Sequence, residues 1–586
     1  MNGLLEQKLY SHLNFLYPDH DTEQLAGRII KAFWPGSGRP KKEPSKPSYD
    51  FWSECDSMVI TYGDSILDPK KKAHPLMILD EFLNKYLEGT INWVHVLPFF
   101  PYSSDDGFAV KDYMVVREDL GDWNDIAKLG KDFSVMADLV INHVSAQSEW
   151  FTHFKTGKKP ETDYFVTASL SDDLSGVVRP RPSDLLCPVE TVDGIKHVWC
   201  TFGHDQVDLN FKNPDVLIEM IKIMRHYINN NVRVFRLDAV GFLWKIIGTS
   251  CINLPQTHEI IRLLRTLVDF DKRDIVLITE TNLPNNENLS YFGNKNEAHV
   301  IYNFSFPPLI THALLSGQAR YLRRWMMTMP PAQIGTTYLN FTASHDGIGL
   351  RPAEGLLPEE EINKMIGTIQ GFGGEVSMRK GRDGQLKPYE INVSLFDAMK
   401  GTFTGKDRSQ ERRFLASQTI MMALEGIPAF YIHSLFATHN DYEKFDETGQ
   451  KRSINRHQWD SDELKGYLKA EDNVHYRVFE EIKRLLKIRV KQPAFHPNAT
   501  QFTLHLGAGL FGFWRESVDR QQSIFCITNL TKKTKKLPLY EINVYGGQCW
   551  VDLISGHEYC NNEDIVDLKP YQSVWITNTI SSVGDD

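Results

Sequence analysis

The sequence predicts an α/β fold: a (β/α)8 TIM barrel with two inserted loop domains and a C-terminal antiparallel β domain. Three observations predict it. Eight short apolar runs suited to buried parallel strands alternate with helical segments along most of the chain. Two gaps between runs are too long for a single helix, and long loops after barrel strands are where binding surfaces are built. Beyond Pro497 the texture changes to short alternating runs separated by Gly, Asn, Asp and Lys.

Taken in order, residues 1–50 read as a helical extension and linker. Leu4, Leu5, Leu9 and Leu13, then Leu25, Ile29, Ile30 and Phe33, have helical spacing, and a Gly/Pro/Lys-rich stretch follows from Pro35 to Pro47. The first part of the barrel, 51–143, holds SMVITYG from Ser57, INWVHVL from Ile91 and SVMADLV from Ser134. An insertion rich in Pro, Asp and Thr occupies 144–213. The second part, 214–346, holds VRVFRLDAV from Val232, IVLITET from Ile275, HVIYNF from His299 and TYLNFT from Thr337. The second insertion, 347–408, contains RKGRDGQLKP. The third part, 409–497, holds PAFYIHS from Pro428 and a closing helix around Val474 to Val490. The runs FTLHLG, LFGFW, SIFCITNL, QCWVDLI and SVWITN make 498–586 the β domain, with TKKTKK at Thr531 as a solvated hairpin turn.

Composition narrows the function. With 586 residues, 41% hydrophobic and 24% charged, the chain has ample material for a large core, which excludes a disordered or fibrous protein. A net charge of -10 gives no broad cationic field, so neither nucleic acid nor an anionic membrane is an expected partner. The seven cysteines are odd in number, scattered and without a CxxC pair, and read as reduced thiols. The segment MNGLLEQKLYSHLNF lacks the pattern of a secretory signal, and no run of about 18 apolar residues occurs. A cytoplasmic protein is expected.

The chemistry sits on three acids at the C-terminal ends of the fourth, fifth and seventh inferred strands: Asp238 in FRLDAVGFLWK, Glu280 in LITETN and Asp346 in NFTASHDGIGL. In a barrel these ends converge on one pocket. Buried carboxylates are costly unless paired, so three together point to chemistry that uses negative charge.

Their contexts resemble the conserved regions of glycoside hydrolase family 13, the α-amylase family of retaining α-glucosidic enzymes: DLVINHVS from Asp138, then RLDAV, ITET and SHD. Within it the similarity is to the sucrose phosphorylase subfamily, through ITYGDS, LPFFPYSSDDGF, NHVSAQSEWF, RPRP, DQVDLNF, DAVGFLWK, ASHDGIGL and RSINR. The resemblance implies that Asp238 is the nucleophile, aimed and kept ionised by Arg236 two residues earlier on the same strand face. It implies Glu280 as general acid and then base, with a raised pKa, and Asp346, beside His345, as the stabiliser of an oxocarbenium-like transition state. Asp105, His143 and Arg456 would hydrogen-bond glucose over a Phe108 platform, with Asp106 the alternative to Asp105 in register. Asn142 matches a calcium position of many amylases, but the phosphorylase relatives generally do without the ion, so no metal and no cofactor is expected.

For the attacking phosphate, a co-substrate, the resemblance implies Arg181 and the mobile-loop tyrosine Tyr389, with Lys387 adding charge. Glu390 stands where sucrose-specific relatives have an amide, and the longer N-terminal region and PYEIN look more like the branch that splits 2-O-α-glucosylglycerol or glucosylglycerate. Glu390 would accept hydrogen bonds from glycerol hydroxyls and repel an anionic acceptor unless Lys387 or Arg181 neutralises it, so glucosylglycerol is the expected substrate. The alternatives are glucosylglycerate, sucrose 6'-phosphate or sucrose, a hydrolase or transglucosidase on the same scaffold, and a non-catalytic amylase-like binding protein. The expected partners are an α-glucoside and phosphate, with the protein a monomer or homodimer.

Overall fold

The computed structural model describes residues 3–36, 40–70, 72–380, 385–542, 549–561 and 563–578. Residues 381–384 of RKGRDGQLKP and Gln548 of QCWVDLI therefore lie outside the described residues.

Eight parallel strands close into a barrel: β1 (Met58–Thr61), β2 (Trp93–Val96), β3 (Ser134–Val140), β4 (Val232–Asp238), β5 (Val276–Thr279), β6 (Val300–Tyr302), β7 (Thr337–Phe341) and β8 (Ile427–Tyr431). Each pairs with the next in the chain, and β8 closes on β1. Every one of the eight apolar runs supplies a strand. The runs are nearly continuous because helices cover the outside while side chains fill the inside. The exceptions include the buried His95, Asp138, Arg236 and Asp238, and the neutral Thr61, Thr279, Thr337 and Asn340. Asp138 on β3 lies opposite Arg236 on β4, and Val140 lies opposite Asp238, so the register gathers charge at the C-terminal end.

At the N-terminus, helices Leu4–Leu16 and Thr22–Phe33 bury Leu9, Leu13, Ile29 and Phe33 against helices Pro214–Asn229 and Pro255–Asp269. Asp21 caps the second of them, accepting from the Gln24 N–H at 3.0 Å. The Arg225 guanidinium lies 4.1 Å from the Phe33 ring centroid, and His12 meets Glu259 at 2.6 Å. Truncating Leu9 or Leu13 to Ala costs about 2–5 kcal/mol on the general behaviour of buried leucines.

Between β3 and β4, His143–Ser145 pairs with Gln206–Asp208, and a hairpin runs through Leu186–Thr191 and Gly194–Trp199. Between β7 and β8, Ile348–Gly349, Leu386–Asn392 and Glu375–Lys380 form a three-stranded sheet next to helix Glu359–Gly371. The closing helix spans Val474–Arg489. The C-terminal region is a six-stranded antiparallel sheet with a separate strand pair, packed around Phe525, Ile527, Leu537, Trp550, Leu568 and Val574.

One sequence expectation is corrected there. Cys549 and Cys560, read as reduced thiols, form a disulfide. Trp550 pairs with Tyr559 in antiparallel register, which puts the two flanking cysteines opposite each other, a proximity their spacing does not reveal. Among the described residues no helix is long and apolar enough to cross a membrane.

Candidate active site

β4 ends at Asp238, and the strand's period of two turns Arg236 and Asp238 to the same inward face. Arg236 Nη1 donates to Asp238 Oδ1 at 2.6 Å and to Asp138 Oδ1, while Nη2 lies 3.9 Å from Glu280 Oε1. Asp138 is fixed in turn by His95 Nε2 at 2.7 Å. The next residue, Ala239, takes the left-handed conformation (φ 51°), a strain of about 1–3 kcal/mol for a residue with a side chain. Its N–H donates to Glu280 Oε2 at 3.1 Å, joining the ends of β4 and β5. Burial pushes both the Asp238 and Glu280 carboxyls above their ordinary values, and Arg236 opposes it.

Asp346 follows β7. Burial acts to raise its carboxyl too, but the guanidiniums of Arg452, Arg236 and Arg456 outweigh it and hold Asp346 below the usual range. Arg452 Nη1 lies 2.7 Å from Asp346 Oδ1. The rest of the Arg452 fork grips Glu390, Nε to Oε1 at 2.8 Å and Nη2 to Oε2 at 2.9 Å. Arg452 belongs to RSINR, yet sequence reasoning gave it no role. Its place four residues before Arg456 in that motif was the available signal.

Of the two acids after β2, Asp106 pairs with Arg456, Oδ2 to Nη1 at 2.5 Å. Asp105 lies 3.5 Å from Gln206 Nε2 and 4.0 Å from Arg452. Both take left-handed backbone, which Asp tolerates better than most residues. Arg456 Nε also donates to the His345 carbonyl at 3.0 Å. The Phe108 ring stacks on His345 with centroids 5.0 Å apart and planes 7° from parallel. His143 Nε2 is 3.0 Å from the Phe108 carbonyl and 3.2 Å from Gln206 Nε2. Burial lowers both imidazoles, His345 well below its usual value, so the site's histidines are neutral near pH 7. Asp106 and Arg456 also line a cavity of about 640 Å³ together with Tyr62, Asp64, Arg117 and Lys444; the three acids are not among its lining residues.

Asn142 Oδ1 accepts from Lys245 Nζ at 2.7 Å, and the same buried ammonium lies 2.6 Å from Asp208 Oδ2. Among the described residues no group of three or more His, Cys, Asp or Glu is disposed to hold a metal ion.

On the far insertion, Tyr389 is buried and the Arg181 guanidinium lies 5.5 Å from its ring centroid. Lys387 is exposed on the same strand, opposite Arg379. Glu390 differs from expectation. It is 1% exposed and both its oxygens are taken by Arg452, so it is a neutralised buried group and not an open acceptor for glycerol hydroxyls.

A closed parallel barrel with an Asp, Glu and Asp at its strand ends, under two inserted loops, defines a carbohydrate-active barrel of the α-amylase type. Residues 85–347 match the family described as Alpha amylase, catalytic domain. A glucosylglycerate phosphorylase from Allomeiothermus silvanus is 39% identical over 578 residues, 98% of each chain, and one from Escherichia coli is 37% identical over 579, covering 98% of this chain and 100% of the other. A glucosylglycerol phosphorylase from Marinobacter adhaerens is 28% identical over 441 residues, 73% of this chain and 86% of its own. The crystal structure of a sucrose 6F-phosphate phosphorylase from Thermoanaerobacter thermosaccharolyticum superposes with a TM-score of 0.70 at 25% identity, covering 81% of this chain and 94% of its own. The chain belongs to glycoside hydrolase family 13, the α-amylase family, in its sucrose phosphorylase branch, and is an α-glucoside phosphorylase.

Proposed function

We propose that this phosphorylase converts glucosylglycerate and inorganic phosphate into α-glucose 1-phosphate and glycerate. Asp238 attacks the anomeric carbon while Glu280 protonates the departing glycerate oxygen, leaving a covalent glucosyl-enzyme. Phosphate then attacks the same carbon, Glu280 takes its proton, and the bond to Asp238 breaks. Asp346 stabilises the cationic ring in both steps, with Asp105 or Asp106, His143 and Arg456 on the glucose hydroxyls. Arg181, Tyr389 and Lys387 are the phosphate-side groups.

The observation that carries the choice of acceptor is the Arg452 fork on Glu390. The preference for glucosylglycerol rested on Glu390 repelling an anion; with its charge neutralised that objection disappears. The relatives that match this chain nearly end to end are glucosylglycerate phosphorylases, and the glucosylglycerol relative is more distant, which supports glycerate over the glycerol expected from the sequence.

The test is release of α-glucose 1-phosphate from glucosylglycerate, glucosylglycerol, sucrose and sucrose 6'-phosphate, each with and without phosphate. Phosphate-dependent release from glucosylglycerate is expected, with kcat/KM above that for glucosylglycerol by about 10-fold or more, the worth of one charge-assisted hydrogen bond. Equal or better use of the neutral glucoside would overturn the acceptor. Free glucose at the same rate without phosphate would overturn the phosphate roles.

A further inference from the structure

The cations near the three acids are mostly spoken for. Arg236 is held by Asp138 and Asp238, Arg452 by Glu390 and Asp346, and Arg456 by Asp106. Arg379 is held by Glu354 at 2.7 Å. Two guanidiniums beside Tyr389, Arg181 and Arg351, form no ion pair among the described residues.

Arg351 is placed by two independent connections. It opens the turn Arg351–Ala353 directly after strand Ile348–Gly349. That strand runs antiparallel to Leu386–Asn392 with Gly349 opposite Glu390, and the Leu350 N–H donates to the Tyr389 carbonyl at 2.9 Å. On its other side, Gly349 backs onto Asn282, where an added Cβ would come 3.0 Å from Asn282 Oδ1. Asn282 lies two residues past Glu280, the acid that faces the leaving group. Arg351 thus sits on the acceptor side of the site, between the loop after β5 and the Tyr389 strand.

Neither carboxylate whose charge reaches Arg351 forms an ion pair with it among the described residues. Glu287 accepts from Asn253 Nδ2 at 2.7 Å, and Glu354 accepts from Arg379. Burial lowers the Arg351 guanidinium, the behaviour of a cation whose charge is incompletely compensated. Asn282 Oδ1 is a buried acceptor with no donor among the described residues, suited to a hydroxyl. A carboxylate with an adjacent hydroxyl is the ligand chemistry that these two groups complement.

We propose that Arg351 is a specificity-determining residue that takes the carboxylate of the acceptor, while Arg181 over the Tyr389 ring takes the phosphate. This rests on the reading of the acceptor as glycerate. The division gives the enzyme separate anion sites for its two anionic partners.

The test compares wild type, Arg351→Gln, Arg351→Lys and Arg181→Gln in steady-state phosphorolysis of glucosylglycerate and glucosylglycerol. Arg351→Gln is expected to lower kcat/KM for glucosylglycerate by about 10–100-fold, mainly through KM, while glucosylglycerol and the phosphate KM stay within about threefold. Arg351→Lys recovers part of the loss, because a point charge survives without the fork. Arg181→Gln raises the phosphate KM and leaves the preference for the acidic acceptor. Equal loss on both glucosides in Arg351→Gln and Arg351→Lys alike would make Arg351 structural and overturn the proposal. Loss of preference in Arg181→Gln but not in Arg351→Gln would overturn it in favour of one shared anion site. A wild type with no preference for the acid removes the acceptor reading itself, and that result is visible before any variant is made.

Discussion

In the proposed mechanism Asp238 is ionised to attack and Glu280 carries a proton, yet burial lifts both carboxyls. Arg236 separates them. Its guanidinium bonds Asp238 at 2.6 Å and stands 3.9 Å from Glu280, so it favours the ionised form of Asp238 more strongly than that of Glu280. The rate is expected to fall on the acid side as Asp238 takes up a proton and on the alkaline side as Glu280 loses its own. A pH profile of kcat/KM for Glu280→Gln that keeps the alkaline limb would remove Glu280 as its source. Asp238→Asn is expected to lower turnover by roughly 10⁴-fold or more without unfolding the chain, since Asp138 still pairs with Arg236. Near-normal glucose 1-phosphate release from that variant would remove the nucleophile assignment. The placement of the three acids was legible because each lies at the end of an apolar run, where the barrel strands converge. Arg452 was not: its grip on Glu390 spans 62 residues of chain, from the second insertion to the loop after β8, and spacing does not report which charges neutralise each other.

At the scale of elements, the first insertion is fastened to β3 through the pair His143–Ser145 and Gln206–Asp208, with His143 directly opposite Asp208. Asp208 is fully buried and accepts from the Thr201 N–H at 3.0 Å, from Thr201 Oγ1 at 2.6 Å and from Lys245, its only ion-pair partner among the described residues. Lys245→Met leaves that carboxylate without a counter-charge, at a cost of about 3–5 kcal/mol. A lowered melting midpoint is expected, together with a higher KM for the glucoside as His143 shifts. An unchanged midpoint would mean that the Thr201 bonds and the Asn142 Nδ2 bond at 3.2 Å hold Asp208 without a counter-charge. The strands were readable one by one because each is a local pattern of burial. Ties between elements, such as Lys245 to Asp208 or Cys549 to Cys560, arise only once distant segments are in register, so the sequence offered no sign of them.

For the whole molecule, the consequential joint is between the N-terminal end of the barrel and the C-terminal sheet. Arg515 of that sheet donates to the Ala423 carbonyl at 2.7 Å, Gln501 accepts from the Glu425 N–H at 2.9 Å, and Asn340 of β7 donates to the Glu425 carbonyl at 2.8 Å. The Glu425 side chain is enclosed in this joint, accepting from the Ala332 N–H at 2.7 Å. Burial pushes its carboxyl up to about 7, only partly countered by that bond and by Arg515. The sign follows from proton binding. Between its ordinary value of 4.5 and about 7, the folded chain holds a proton on Glu425 that the unfolded chain has lost, so stability declines as pH rises through this window and stays lower above it. At about 1.4 kcal/mol per unit, the decline is on the order of 3 kcal/mol. Glu425→Gln keeps an acceptor for Ala332 and removes the titration. Its melting midpoint is expected to exceed that of the parent protein at about pH 8, with the difference shrinking toward about pH 5. A parallel pH dependence in both proteins would show that Glu425 is ionised throughout and that the joint is held by its other hydrogen bonds.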